Sequence, residues 1–350
     1  MQLEGRCMVQ DYDISVVITT YNRCDMLAEA IESVLQQQHG DIKYEVIVVD
    51  NNSTDRTREV IEGFMARNVN LSCAFEPRQG VPHARNAGIA HARAPIIAFF
   101  DDDIRVSSNW IANIKRAFDE HPEIDFLGGK ILPRWKTAPP PWLTRDHWWP
   151  LALLDYGDVP VYVTADNPLC LPTANASFRR EVFDRVGLFA PDFSRGEDHE
   201  LLLRLWQDGR RGLYDPSVVV VAEVQPERLQ ERYHLRWNAT TGRYNSLMHL
   251  NEIMGSDGRI VGEPPDMIRF FGVPAFIYKD LMVETRKWIG ASIMGRKQTS
   301  LRSRNAVWYL LGYISKRYEN TPPQPRLSTA SEIASSIKAL VLKKLRRDVK

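Results

Sequence analysis

Residues 95–103 read Pro95-Ile96-Ile97-Ala98-Phe99-Phe100-Asp101-Asp102-Asp103. An unbroken apolar run of β-branched and aromatic residues reads as a strand buried on both faces. It passes directly into three carboxylates. In open α/β sheets, ligands sit outside the carboxyl ends of the strands. In an extended segment residues i and i+2 point the same way, so Asp101 and Asp103 share a side. Two hard oxygen donors on one side suit Mg2+ or Mn2+, cations that keep several waters and bind phosphate oxygens. The competing reading is helix capping, because Asp103 or Ser107 could start a helix over residues 109–118. A second acidic strand end, upstream, favours chemistry over capping.

That second end is Asp50. Residues 44–49 (YEVIVV) form another buried strand, and 50–55 (DNNSTD) are rich in residues that cap helices. Asp55 reads as the cap of a helix over 57–67, which leaves Asp50 free to meet a nucleobase or ribose. Upstream, residues 14–19 (ISVVIT) are a first buried strand, and 25–38 carry apolar side chains at helical spacing. Residues 71–75 read as a third strand and 81–92 as a helix. Strand and helix alternate through residue 118, which predicts a mostly parallel sheet with helices on both faces. The first strand is followed by Thr20-Tyr21-Asn22-Arg23. Neither G-x-G-x-x-G nor G-x-x-x-x-G-K-[ST] is present there, which counts against a dinucleotide oxidoreductase and a P-loop enzyme.

The pattern changes after Lys130. Residues 133–150 hold five prolines together with Trp135, Trp142, Trp148 and Trp149, and read as a long surface loop. Helices are expected over 180–186 and 197–208, and a last strand over 216–223. From there the chain reads as helical over 228–252, 266–294, 303–317 and 331–347.

Five blocks in this order resemble the family-2 glycosyltransferases of the GT-A fold. They are VVITTYNR (16–23), VIVVDNNSTDRT (46–57), GVPHARNAGI (80–89), IIAFFDDDIRV (96–106), and NASFRREVFDRVGLF with GEDHELLLRL across 175–205. The resemblance implies a Rossmann-like, mostly parallel central sheet with a helical C-terminal extension. It divides the chain into an N-terminal extension (1–13), a catalytic domain (14–245) and a basic helical extension (246–350). Within the domain, residues 14–130 form a donor half and 131–245 an acceptor half.

It also implies an enzyme that moves a sugar, with inversion, from a nucleotide-diphosphate donor to a hydroxyl of a saccharide or lipid-linked saccharide, in cell-surface polysaccharide or glycoconjugate synthesis. The cofactor would be Mn2+ or Mg2+, and a UDP-sugar is the first choice of donor. By similarity, Thr20, Tyr21, Asp50, Arg85, Asp101 and Asp102 meet the donor, and Asp103 with Asp101 holds the metal. Asp198 is the general base, because a sugar hydroxyl is a poor nucleophile that must lose its proton as attack develops. Asn175, Glu197 and Trp142 fall to the sugar and acceptor pocket. One departure stands out. The resemblance implies that many relatives place a His after the last strand, where this chain has Ala222; either Glu223 or His234 would substitute, or the metal would keep an extra water. Two other readings share some of these features: a nucleotidyltransferase, and a non-catalytic nucleotide-sugar or membrane scaffold. The first lacks its Gly-rich loop after strand one. The second is hard to reconcile with intact Asp101, Asp103 and Asp198.

The formal net charge of +1 argues against nucleic acid as a partner, yet it averages two opposite regions. Residues 1–266 hold 28 basic and 39 acidic side chains, and residues 267–350 hold 17 and 5. The basic, partly amphipathic tail is a candidate for contact with an anionic membrane surface. The N-terminus carries Glu4, Asp11 and Asp13 without an apolar run and reads as having no signal peptide. Cys7, Cys24, Cys73 and Cys170 show neither zinc spacing nor C-x-x-C, and read as small buried hydrophobes in a reducing compartment. The expected location is cytoplasmic, or peripheral on the cytoplasmic face of the membrane.

Overall fold

A computed structural model describes residues 12–320 except 256–257 and 261–265. The expected helix at 331–347, almost all of the N-terminal extension, and Cys7 lie outside the described residues. The first half alternates as its apolar runs dictate: β1 (Ile14–Thr20), α1 (Cys24–Leu35), β2 (Tyr44–Asp50), α2 (Thr57–Met65), β3 (Leu71–Phe75), α3 (Val81–His91) and β4 (Ile96–Asp101). There follow β5 (Ile104–Val106), α4 (Trp110–Glu120), β6 (Phe126–Trp135), β7 (Val161–Val163), β8 (Ala176–Arg179), α5 (Glu181–Val186), α6 (Glu197–Gln207) and β9 (Gly212–Val224).

The strands form one sheet in the order β3-β2-β1-β4-β8-β6-β9-β5, with β7 added on β9. β1 to β4 are parallel, and β8 runs against β4. Every residue of β2 is buried, as expected of a strand covered on both faces. Register fixes what matters for function. Thr20 pairs with Asp50, and Thr19 pairs with Asp101, so the polar residues ending three parallel strands form one row at the carboxyl edge of the sheet. Helix α3 lies flush on that sheet. A Cβ at Gly88 would come within 2.3 Å of a Val17 methyl group, so the close approach requires glycine. Arg85, one turn earlier, is thereby held under the same edge.

The second half differs from expectation in several places. Residues 133–150 are only in part a surface loop: residues 136–141 are irregular and mostly exposed, but the ends are not. β6 continues to Trp135, two short 3-10 turns follow (Arg145–His147 and Trp149–Leu151), and Leu143, His147 and Leu151 are buried. The prolines limit regular structure, but the aromatic side chains pack this segment onto the core. β8 is not expected from the sequence, because its four residues are too short to show a period. Of the cysteines, Cys170 is buried whereas Cys73 is exposed and Cys24 only partly covered.

The expected helix over 228–252 is broken. A 3-10 turn (Pro226–Leu229) leads into α7 (Glu231–Leu247), and His249 at φ 55° separates it from α8 (Leu250–Ile253). The expected helix over 266–294 starts later. β10 (Arg269–Phe270) and β11 (Val273–Pro274) make a small hairpin around Phe271 and Gly272, both at positive φ, before α9 (Ala275–Ile293). The last described helix, α10 (Lys297–Asn320), crosses α7 where two glycines meet backbone. A Cβ on Gly242 would lie 2.0 Å from the Tyr309 carbonyl oxygen, and one on Gly312 would lie 1.9 Å from that of Ala239. Val273, Ile277, Leu310, Tyr313 and Ile314 form a separate small core for this extension. Among the described residues no helix is long and apolar enough to cross a membrane.

Candidate active site

A cavity of about 510 Å3 opens at the carboxyl edge of the sheet. Its walls come from the ends of β1 and β4, the start of α3, the second 3-10 turn, the start of α6, and helix α7. Of the expected residues, Thr20, Tyr21, Arg85, Asp101, Asp102, Asp103, Glu197 and Asp198 line it. Three do not. Asp50 lies behind the wall, with its Oδ1 accepting from the Ser53 amide at 2.9 Å, and the neighbouring Asn51 lines the cavity instead. Asn175 is consumed by the fold. Its amide donates to the Lys130 and Val218 carbonyls and its Oδ1 accepts from the Trp110 indole at 2.8 Å, so every polar direction is taken. Trp142 packs edge-on against His147 and His234, whereas Trp149 faces the cavity.

Ion pairs order the acidic cluster. Arg85, almost wholly buried, places Nη1 2.6 Å from Glu197 and Nη2 3.1 Å from Asp101, tying α3 to α6 and β4. Burial pushes the Glu197 carboxyl upward, and the guanidinium opposes that shift. Asp102 accepts from Thr20 Oγ1 at 2.8 Å and from Arg23 at 2.8 Å, and burial raises it to about 6. Asp103 is likewise raised by burial, against the pull of Arg228 at 3.3 Å and Arg23 at 3.4 Å. Arg23 and Arg228 escaped sequence analysis. An Arg in a loop carries no periodic signal, and only folding brings residues 23 and 228 to residues 102 and 103.

Asp198 lies in the first turn of α6. Its Oδ1 accepts from the amide of the next residue at 2.8 Å, and it forms no ion pair among the described residues. A carboxylate that lines a cavity without a salt-bridge partner retains lone pairs for a substrate proton. Beside it, His199 lies 5.4 Å from Trp149 between ring centroids, and burial lowers its pKa, favouring the neutral ring.

The two candidate replacements for the missing His do not reach the site. Ala222 faces the cavity, so Glu223 faces the other side of the strand, where Lys136 at 2.7 Å and Arg105 at 3.4 Å hold it. His234 is fully buried, and burial lowers it to about 4. The neutral ring donates from Nε2 to the Arg228 carbonyl at 3.1 Å. It thus positions Arg228, with Trp142 behind it. Among the described residues no group of three or more His, Cys, Asp or Glu side chains converges as a metal cage. The donors that remain, Asp103 with Asp101, fit the way Mg2+ or Mn2+ binds through one or two carboxylates plus substrate phosphates.

Comparison with known proteins bears on the fold and the family. Residues 15–187 match the family described as Glycosyl transferase family 2. The glucosyl-dolichyl phosphate glucuronosyltransferase of Haloferax volcanii is 27% identical over 234 residues, covering 64% of this chain and 72% of that one. Among solved structures, the mannosyltransferase PcManGT of Pyrobaculum calidifontis, in complex with GDP-Man and Mn2+, superposes with a TM-score of 0.53 at 19% identity, covering 97% of this chain and 83% of that one. S. aureus TarS 1-349, in complex with UDP-GlcNAc, gives 0.50 at 17% identity, covering 89% and 93%. The fold is therefore GT-A. Over residues 15–187 the chain is similar to the family-2 glycosyltransferases.

Proposed function

We propose that this chain transfers a glycosyl group, with inversion, from a nucleotide-diphosphate donor to a saccharide hydroxyl. The observation that carries the reading is the convergence of Arg85, Asp101, Asp103 and Asp198 on one cavity at the carboxyl edge of the sheet. Thr20, Tyr21 and Asn51 border the nucleoside, and Arg85 braces Asp101. Asp103 with Asp101 would hold Mn2+ or Mg2+, whose Lewis acidity lowers the cost of charge on the departing diphosphate. The acceptor oxygen attacks the anomeric carbon as that carbon's bond to the diphosphate oxygen breaks. The bonding pair leaves with the nucleoside diphosphate, and the hydroxyl proton passes to Asp198. Arg23 and Arg228, which line the cavity beside Asp103, would supply guanidinium donors to the developing charge. One displacement inverts the anomeric centre, and no covalent enzyme intermediate forms.

The outer face of α9 supports a membrane-surface location. Its inner face packs Ile277 on the small core, whereas Phe276, Met282, Val283, Ile289 and Ile293 are exposed. Lys279, Arg286 and Lys287 share that helix. Exposed apolar side chains among cations suit an anionic lipid surface, each cation contributing about 1 kcal/mol. Such a surface would present a lipid-linked acceptor, the kind of substrate named for the Haloferax relative. Full-length protein should float with anionic vesicles and sediment without them, and loss of flotation in Lys279→Glu/Arg286→Glu/Lys287→Glu tests the face.

A thermal-shift series with UDP, GDP and their sugars, with and without Mn2+, tests the donor assignment. A ligand that binds only the folded state raises the melting temperature. The expected result is stabilisation by one nucleoside diphosphate, enhanced by the cation and lost in Asp103→Ala. Release of pyrophosphate in place of a nucleoside diphosphate during turnover would contradict glycosyl transfer.

A further inference from the structure

A second cavity, of about 380 Å3, opens beside the first. Trp149, His199, Trp237, Thr241 and Asn245 line both, so the two are contiguous on the side of α6 where Asp198 stands. The far wall belongs to the helical extension, with Asn251 from α8 and Tyr309 from α10. This wall lies beyond the residues that match the family.

The chemistry of the lining is selective. Among the described residues it carries no Asp, Glu, Lys or Arg side chain, and His199 is held toward its neutral form by burial. No cation among the described lining residues is placed to pair with a phosphate, which disfavours a second nucleotide or a lipid headgroup phosphate. Aromatic faces alternate with amides and a hydroxyl. Trp149 and Trp237 stand edge to face at 6.3 Å between centroids. Asn245 donates to the Tyr309 hydroxyl at 3.0 Å, and that hydroxyl donates to Asn251, so the far wall is prearranged. The Thr241 hydroxyl oxygen has no hydrogen-bond partner among the described residues. A buried hydroxyl without a partner is costly, and a ligand hydroxyl would remove that cost. Sugar rings present an apolar face and a rim of hydroxyls, which these walls match.

We propose that this cavity is a saccharide subsite for the acceptor, built by the C-terminal helices, which holds the sugar next to the one whose hydroxyl faces Asp198. The inference rests on the glycosyl-transfer reading for its role, but binding can be measured without transfer. The test is saturable quenching of tryptophan fluorescence in the full chain by maltotriose, chitotriose and mannotriose. At least one trisaccharide should bind. Thr241→Val, which preserves shape, should weaken binding about tenfold without lowering Tm, and Trp237→Ala should abolish it. Asp103→Ala should leave saccharide affinity within about twofold while abolishing nucleoside-diphosphate binding. Lack of binding by all three sugars, unchanged affinity in Thr241→Val, or equal loss in Asp103→Ala overturns the proposal. Failure of glycosyl transfer with saccharide binding intact would count against the transfer reading alone.

Discussion

Arg228 Nη2 lies 3.3 Å from Asp103 Oδ2, although 125 positions separate the two residues. The 3-10 turn that carries Arg228 is anchored by His234 through the Arg228 carbonyl, and Asp103 itself accepts the Glu223 amide on its own carbonyl at 3.0 Å. This chain has Ala222 where the family resemblance implies an imidazole, and the following turn carries the guanidinium of Arg228. On the proposed reading, in which Asp103 would hold the cation, a side chain beside that carboxylate can turn toward a diphosphate once donor and cation arrive.

Arg228→Ala should therefore lower kcat by roughly 10²- to 10³-fold, the range for losing one charge-stabilising donor. Nucleoside-diphosphate affinity should change much less. Steady-state release of nucleoside diphosphate, with KM and kcat separated, checks this. An unchanged kcat would show that Arg228 serves only to neutralise Asp103.

The crossing of α7 and α10 should tolerate no side chain at its closest point. Gly242→Ala forces a methyl group to 2.0 Å from the Tyr309 carbonyl oxygen, so the helices must part. Overpacking of this kind costs about 1–3 kcal/mol. Chemical denaturation should show the loss, and saccharide binding should weaken because Tyr309 moves with its helix.

Glu252 ties the extension together and makes its stability pH-dependent. It accepts from Tyr313 at 2.5 Å, and Arg317 and Arg269 pair with it, the latter at 2.6 Å. Burial alone would raise its pKa, but these bonds outweigh burial and hold it at about 2. A carboxyl depressed below its unfolded value stabilises the native state above about pH 4.5, and that contribution fades as pH falls toward 2. Glu252→Gln should cost about 3–5 kcal/mol at pH 7, as expected on breaking a buried pair. The gap between wild type and variant should close on acidification. Denaturation midpoints at pH 7, 4.5 and 3 check the trend.

Much of residues 14–130 was legible in the sequence, because β1, β2 and β4 are largely apolar runs that end in Thr20, Asp50 and Asp101. Buried parallel strands leave that signature, and the register then aligns their ends. Residues 131–245 were less legible. β8 is too short to show a period, and the aromatic segment after β6 looks irregular although it is packed. The site divides the same way. Asp101, Asp102 and Asp103 close or follow a strand and could be named from the pattern, whereas Arg85, inside α3, could be named only through the family resemblance. Arg23, Arg228, Trp149, Trp237 and Tyr309 reach the cavities only through long-range packing. Asn175 shows the reverse error: a polar residue in a promising block whose bonds go to the backbone of β6 and β9 and to the Trp110 indole.

The central claim is that Asp198 accepts the proton of an acceptor hydroxyl during inverting transfer. Its most direct test is a transfer assay of wild type and Asp198→Asn with a nucleotide-sugar donor and an oligosaccharide acceptor, reading both rate and anomeric configuration. The wild type should give the inverted linkage. Asp198→Asn should lower transfer by about 10²- to 10⁴-fold, the range for removing a general base, while donor affinity stays within a few-fold. Full activity in Asp198→Asn, or retained configuration in the product, would contradict the account.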